Sequence, residues 1–434
     1  MDKMADVLGR AGAWCGQNKY LSAIKNAFQT FMPLTIAGAI GVLWCNVLVN
    51  DQTGLGLFFK PIMALDFLNP AFQAVNFCTI SCITVGITLG IAQEIGVWNM
   101  GAEKAGYIPG LVGLAAWLSV TNTSHMVDGA KEAFTGVAGN ELGATGLFTG
   151  MIIGVLSVEL FCFFEKQDAL KIKMPEQVPP GVARAFEVLV PATITLIITA
   201  CIGSACYNLT GLYLNDVIKN GIQGPLGAVG ATIPGVMIIY LVIMLFWLVG
   251  IHGNNMLSAV KEALFTPLAL ENVEKFNKGE KPTNIINMYA LQMWGEFGGS
   301  GVTIGLVIAI MIFGKREDNK AIATLSLVPG LFNINETVTF GIPMVLNPIL
   351  GIPFVVAPLI TIIIGYVLTV IGFCPVACLT VPWTTPPIVF GFLACGANVM
   401  GAVTQAILIV VSTVIYVPFL ISYEKYQNKQ AAEA

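Results

Sequence analysis

The chain has 434 residues, 56% of them hydrophobic and only 11% charged, with a mean hydropathy of +0.79. Soluble domains carry roughly 25% charged residues, so a water-soluble enzyme of this size is excluded and a polytopic membrane protein follows. The net charge of −4, from 21 basic and 25 acidic residues, offers no basic field for nucleic acid.

In chain order, residues 1–27 come first. Met4, Val7, Leu8, Ala11 and Trp14 recur at helical spacing, which predicts an amphipathic helix lying on a membrane surface rather than a cleavable signal. A spanning helix needs about 20 mostly apolar residues. Candidate runs follow at 28–49, 71–92, 105–121, 143–164, 186–210 and 225–250, then at 298–314, 321–347, 349–373, 376–396 and 399–422. Residues 165–185, from Glu165 through Met174-Pro175-Glu176 to Arg184, are charged and proline-containing. They are expected to form a cytoplasmic connector between an N-terminal membrane region, 28–164, and a larger C-terminal one, 186–423, ahead of a tail at 424–434.

Lys and Arg near span ends set orientation. Lys3, Arg10, Lys19 and Lys25 put the N-terminus in the cytoplasm; Lys166, Lys171, Lys173 and Arg184 fall on the same side four passes later. The basic tail, with Lys425 and Lys429, should be cytoplasmic too. Lys315-Arg316 should join them, yet seven apolar runs precede it. The odd parity is resolved if 252–297 dips into the membrane and returns. Such backbone is tolerated only inside protein or beside a wet cavity, so the parity fault points to a binding site.

The ten cysteines lie mostly in apolar stretches and none form C-x-x-C; the only histidines are His125 and His252. Neither a metal site nor a disulfide framework is expected. No P-loop, G-x-S-x-G or H-E-x-x-H motif is present, so no cofactor is expected either.

Each polar residue inside an apolar run is informative, because an unpaired one is costly to bury. Trp247-Leu-Val-Gly-Ile-His252-Gly-Asn254-Asn255 closes one run. A neutral imidazole there both donates and accepts, as a sugar hydroxyl requires, although an interfacial histidine facing water would look the same. Glu336, flanked by Asn333 and Asn335, has no Lys or Arg within fifteen residues. It needs a proton, a basic partner from elsewhere or a ligand hydroxyl. Trp383, between prolines in Thr380-Val-Pro-Trp-Thr-Thr-Pro-Pro387, offers a flat face to a sugar ring and equally suits an interfacial aromatic belt. Glu296, in Trp294-Gly-Glu-Phe-Gly-Gly-Ser-Gly301, reads evenly as site or scaffold. His125 sits in a polar loop and reads as solvated. The set suits a neutral polyhydroxylated ligand.

At Leu331–Pro343 the chain resembles the lactose/cellobiose family of phosphotransferase-system sugar permeases, the membrane-embedded IIC components. The resemblance runs almost end to end: Ala23–Phe28, Met32–Gly38, Lys173–Val178-Pro179, Phe246–Gly253, Gly298–Gly301, Asn333–Glu336, Leu346–Pro348 and Pro382–Pro386. Where the family pattern has proline after the glutamate, this chain has Thr337.

The resemblance implies an all-α polytopic fold of about ten spanning helices plus two re-entrant hairpins. It implies a homodimer in the bacterial cytoplasmic (inner) membrane, joined through the N-terminal half, with the sugar held in the C-terminal half. His252 and Glu336 take the family's sugar-holding positions, joined by Trp247, Asn254, Glu296, Asn333, Asn335 and Trp383 as candidate sugar contacts. The substrate class is a β-linked disaccharide of the cellobiose, diacetylchitobiose or lactose type. A separate IIB protein bearing a phosphocysteine would phosphorylate it, with IIA upstream, since no soluble block of domain size remains in the chain. The expected mechanism is alternating access. The competing reading is a proton-coupled sugar symporter with Glu336 as proton relay.

Overall fold

Long apolar runs can satisfy their backbone in lipid only as helices or closed barrels, and this chain is built from helices. The computed structural model describes residues 10, 14, 17–51, 55–125, 134–175, 177–225, 230–342 and 344–433. Met4, Val7, Leu8 and Ala11 of the expected surface helix lie outside them. The helices are α1 (Lys19–Leu48), α2 (Ile83–Met100), α3 (Ile108–Val120), α4 (Ala144–Glu165) and α5 (Pro180–Thr210). There follow α6 (Ile233–Leu248), α7 (Gly253–Asn277), α8 (Met288–Gly295), α9 (Ile304–Phe313) and α10 (Glu317–Leu331). The last four are α11 (Glu336–Gly341), α12 (Gly351–Val370), α13 (Val389–Ala394) and α14 (Val399–Glu433). Among the described residues, α1, α4, α5, α12 and α14 can each cross a membrane alone. Two bent pairs raise that number to seven: Lys60–Ser81 with α2, at 42°, and Met288–Val302 with α9, at 60°. Strand structure among the described residues is one antiparallel ribbon, Ser124–His125 against Phe134–Thr135.

The chain divides into two compact units, one of Gln17–Gly38 with Ala74–Gly227 and one centred on Ala39–Gln73 with Ala228–Ala434. In the first, α2, α3 and α4 pack on one another and α5 packs on α3 and α4. Ile87, Ile91 and Ile95 form the buried stripe of α2, and Trp117 and Ile153 anchor the core between α3 and α4. Small residues set the spacing, as in membrane helix pairs generally: a Cβ on Gly113 would lie 2.3 Å from that of Ala92. Arg184, at the start of α5, holds Glu165 at the end of α4 (3.0 Å) and Glu187 (2.7 Å). The charged connector therefore begins and ends on one ion cluster.

In the second unit, α9 and α12 pack on α14, while α6 and α8 pack on α12. Tyr240, Phe265, Trp294, Phe354 and Tyr416 fill its interior. Near the far end of α14, buried Glu424 accepts the backbone N–H groups of Lys315 (2.9 Å) and Arg316 (3.3 Å) and the side-chain amide of Asn319 (3.2 Å). Arg316 adds a 2.7 Å bond to Asn428.

Two segments differ from the expectation drawn from hydropathy. The run 321–347 is not one span: α10 stops at Leu331, just past Pro329, and Asn333 turns the chain at φ 62° before α11 begins. The run 376–396 is mostly non-helical, because Pro375, Pro382, Pro386 and Pro387 remove donors and clash with a continuing helix. Instead it folds back on itself, with the N–H groups of Cys378 and Leu379 donating to the Ala394 carbonyl (2.8 and 3.1 Å). Residues 252–297 contain a full 25-residue helix, α7, against which the short α8 packs. Hydropathy averages over such breaks; prolines and left-handed turns decide them.

Candidate functional site

The site lies within the second unit, where four interrupted stretches meet. Trp247 is in the last turn of α6; the chain then turns at Gly250 (φ 80°) and delivers His252 to the N-cap of α7. The Asn255 N–H donates to His252 Nδ1 at 3.2 Å. A neutral imidazole that accepts at Nδ1 carries its proton on Nε2. That Nε2 faces Glu336 Oε1 across 3.9 Å, beyond hydrogen-bond length. The His252 ring packs on Trp247 with centroids 4.4 Å apart. Glu336 opens α11, where a carboxylate is favoured by the exposed N–H groups of a first helical turn.

The pair is not enclosed by protein, as a buried pair would be. The His252 side chain is 38% accessible and that of Glu336 48%. Neither fills its hydrogen-bonding capacity with the other, so the gap between them can accept a ligand hydroxyl.

Beside this open pair lies a closed one. Lys261, two helical turns beyond Asn254 on α7, donates to Glu296 and, at 3.2 Å, to Asn254 Oδ1. Glu296 also accepts from Tyr240 Oη at 2.7 Å, and Asn254 Nδ2 donates to Ser300 Oγ at 2.9 Å. The lysine and glutamate side chains are only 7% and 17% accessible. Glu296 sits at the end of α8, where the chain enters the break between α8 and α9. Gly298 (φ 70°) and Gly299 (φ 88°) make that break; a Cβ on Gly299 would meet Asn335 Cγ at 2.6 Å, so only glycine admits the neighbouring loop.

The two asparagines around Glu336 are occupied in holding the breaks together. Asn333 Oδ1 accepts the Gly298 N–H at 2.6 Å, and its Nδ2 donates to the carbonyls of Trp383 (2.5 Å) and Thr385 (3.1 Å). Asn335 Nδ2 donates to the Ser300 carbonyl at 2.7 Å. Trp383 is thereby tied to the Asn333 turn, with its ring exposed. His125 is elsewhere, in the strand ribbon of the first unit, bonded to the Asn122 carbonyl at 3.2 Å.

Sequence reasoning missed Lys261, Tyr240 and Ser300. Lys261 could have been flagged as a charged residue seven positions from Asn254 on one helix face. Tyr240 and Ser300 carry no local signal, because their partners come from other elements.

The phosphotransferase system, EIIC family model matches residues 25–358. The oligo-beta-mannoside-specific EIIC component of Bacillus subtilis (strain 168) is 32% identical over 98% of this chain and 94% of its own. The cellobiose-specific EIIC component of Lactococcus lactis subsp. lactis (strain IL1403) is 30% identical over 98% of both chains. Among solved structures, the transporter ChbC is the IIC component from the N,N'-diacetylchitobiose-specific phosphotransferase system. It superposes with a TM-score of 0.88 at 30% identity, covering 97% of each chain. The fold, the broken helices and these matches agree: the chain belongs to the phosphotransferase-system EIIC family, as an all-α, multi-span membrane component of a sugar phosphotransferase system.

Proposed function

We propose that this EIIC protein binds a β-linked disaccharide between His252 and Glu336, carries it across the cytoplasmic membrane and presents it to a phosphorylated IIB protein. The observation that carries this reading is the unfilled 3.9 Å gap between His252 Nε2 and Glu336 Oε1. One sugar hydroxyl can accept from the imidazole N–H and donate to the carboxylate at once. Trp247 backs the histidine, and the exposed ring of Trp383 is available to stack on an apolar sugar face. The relatives named for cellobiose, oligo-β-mannoside and diacetylchitobiose support the β-linked disaccharide class.

In the transfer step the sugar hydroxyl oxygen attacks the phosphorus of the IIB phosphocysteine. The O–P bond forms as the S–P bond breaks, and Glu336 takes the hydroxyl proton as general base. The open pair and Trp383 contact sugar directly, the buried Trp247 supports the histidine ring from behind, and Asn254, Glu296, Asn333 and Asn335 brace the breaks around the pair. IIA recharges IIB. On the family resemblance we also assign a homodimer joined through residues 28–164, a moving sugar-holding unit, re-entrant segments at the two breaks, and cytoplasmic termini and 165–185 connector.

The test is equilibrium binding of cellobiose, lactose and diacetylchitobiose to purified protein and to Glu336→Gln. The variant keeps shape but loses a charged acceptor, so affinity should fall by about 1.5–3 kcal/mol, roughly ten- to a hundredfold. Equal affinity in both proteins would remove Glu336 from the site. Accumulated sugar should be phosphorylated; free sugar that drains on adding a protonophore would favour the symporter instead.

A further inference from the structure

Cys374 and Cys395 stand at the two ends of the folded-back segment that replaces the expected span at 376–396. They are twenty-one positions apart in sequence, yet their Sγ atoms lie 3.8 Å apart. Both side chains are almost wholly buried, at 2% and 4% residue exposure. Each Sγ also lies near the Pro375 carbonyl, at 3.4 and 3.3 Å, and Met293 Sδ is 3.9 Å from Cys395. The base of the segment is thus a dithiol in van der Waals contact, beside the backbone bonds from Cys378 and Leu379 to Ala394. Its far end carries Trp383 and Thr385, whose carbonyls receive Asn333.

We propose that Cys374 and Cys395 are an oxidative modification site: a small uncharged peroxide closes them into a disulfide that fixes the base of this segment and stops sugar transfer. A disulfide needs an S–S distance of about 2.05 Å, so from their 3.8 Å contact the two sulfurs need to close by less than about 2 Å. The thiolate of one cysteine attacks a peroxide oxygen and becomes a sulfenic acid as hydroxide leaves. The other thiol attacks that sulfur, the S–O bond breaks and water departs. Two thiols and one hydrogen peroxide give one disulfide and two waters. The 3.8 Å contact is what favours the second step over further oxidation.

The experiment uses full-length protein in proteoliposomes, treated with hydrogen peroxide, blocked with N-ethylmaleimide and digested without reductant. A linked peptide pair containing Cys374 and Cys395, two hydrogens lighter than the reduced sum, is expected. Phosphorylation-coupled cellobiose uptake should fall at least about fivefold, as for a blocked conformational step, and return with dithiothreitol. Cys374→Ser and Cys395→Ala should keep uptake under peroxide, whereas Cys378→Ser should lose it like the parent. Recovery of both cysteines as maleimide adducts, or a 374–395 link with unchanged uptake, would overturn the proposal. Mapping on the parent protein decides even if a variant fails to fold. The loss of uptake rests on the transport function proposed above but not on which residues hold the sugar, and the link rests on neither. Should Glu336→Gln leave sugar affinity untouched while peroxide still links the pair and stops uptake, the site falls and the dithiol stands.

Discussion

Two acid–base pairs in one unit differ in almost every physical respect. Lys261 and Glu296 are enclosed and saturated by Tyr240 and Asn254; His252 and Glu336 are open, separated and short of partners. A closed pair exchanges most of its hydration for fixed bonds and contributes shape. An open pair keeps donors and acceptors free, so its free energy is realised only when a ligand arrives. Under the proposed function, burial rather than charge separates scaffold from site.

The largest effect should come from breaking the closed pair. Lys261→Met leaves the enclosed Glu296 carboxyl without its cationic partner and should cost about 3–5 kcal/mol of stability, read as a lowered unfolding temperature in detergent. Adding Glu296→Gln should recover part of that loss; no recovery would mean the two are not coupled. Glu336→Gln should do the reverse, weakening sugar binding by about 1.5–3 kcal/mol while the unfolding temperature without sugar stays put. A marked drop in that temperature would move Glu336 from site to scaffold. His252→Phe keeps the packing on Trp247 but removes the cap to Asn255 and the Nε2 donor. It should cost about 1 kcal/mol in stability and a similar amount in sugar binding, measured by thermal unfolding and isothermal titration.

A third pair extends the comparison to the surface. Arg316 bonds Asp318 at 2.6 Å, and this hydrogen-bonded guanidinium holds the Asp318 carboxyl below the usual aspartate range. A lowered folded value stabilises the ionised form. Its contribution is therefore fully present above the ordinary aspartate value and is lost as pH falls through the depressed one. Asp318 is half exposed, so salt and solvent screen the pair. Asp318→Asn should show the smallest change of the four, a slightly flatter loss of thermal stability between neutral pH and pH 3. A change as large as that of Lys261→Met would contradict the ranking by burial.

Much of this arrangement could be read from residue order. Polar residues in apolar runs at 247–255, 294–301, 331–336 and 380–387 picked out four interruptions, and all four lie in one unit. What escaped was who bonds to whom. Asn333 and Asn335 looked available for sugar, yet Asn333 donates to the Trp383 and Thr385 carbonyls and accepts from the Gly298 N–H, and Asn335 donates to the Ser300 carbonyl. Lys261 belonged to a stretch whose mixed polarity hid a buried face. Averaged hydropathy also ran two helices through proline-rich turns, because it weighs side chains and ignores whether a backbone can continue.

At 1.5 Å per residue, the 35 residues of α14 extend for about 52 Å, against a hydrocarbon layer of roughly 30 Å. Gln405 grips Met293 and the start of α13 toward one end, and Glu424 grips the Lys315 turn toward the other, with Pro418 inside the helix between them. The helix therefore ties the interior of this unit to the Lys315 turn through one continuous element. A spin label or fluorophore near Gln430 would report whether this helix shifts when sugar is added, without touching the interior of its unit.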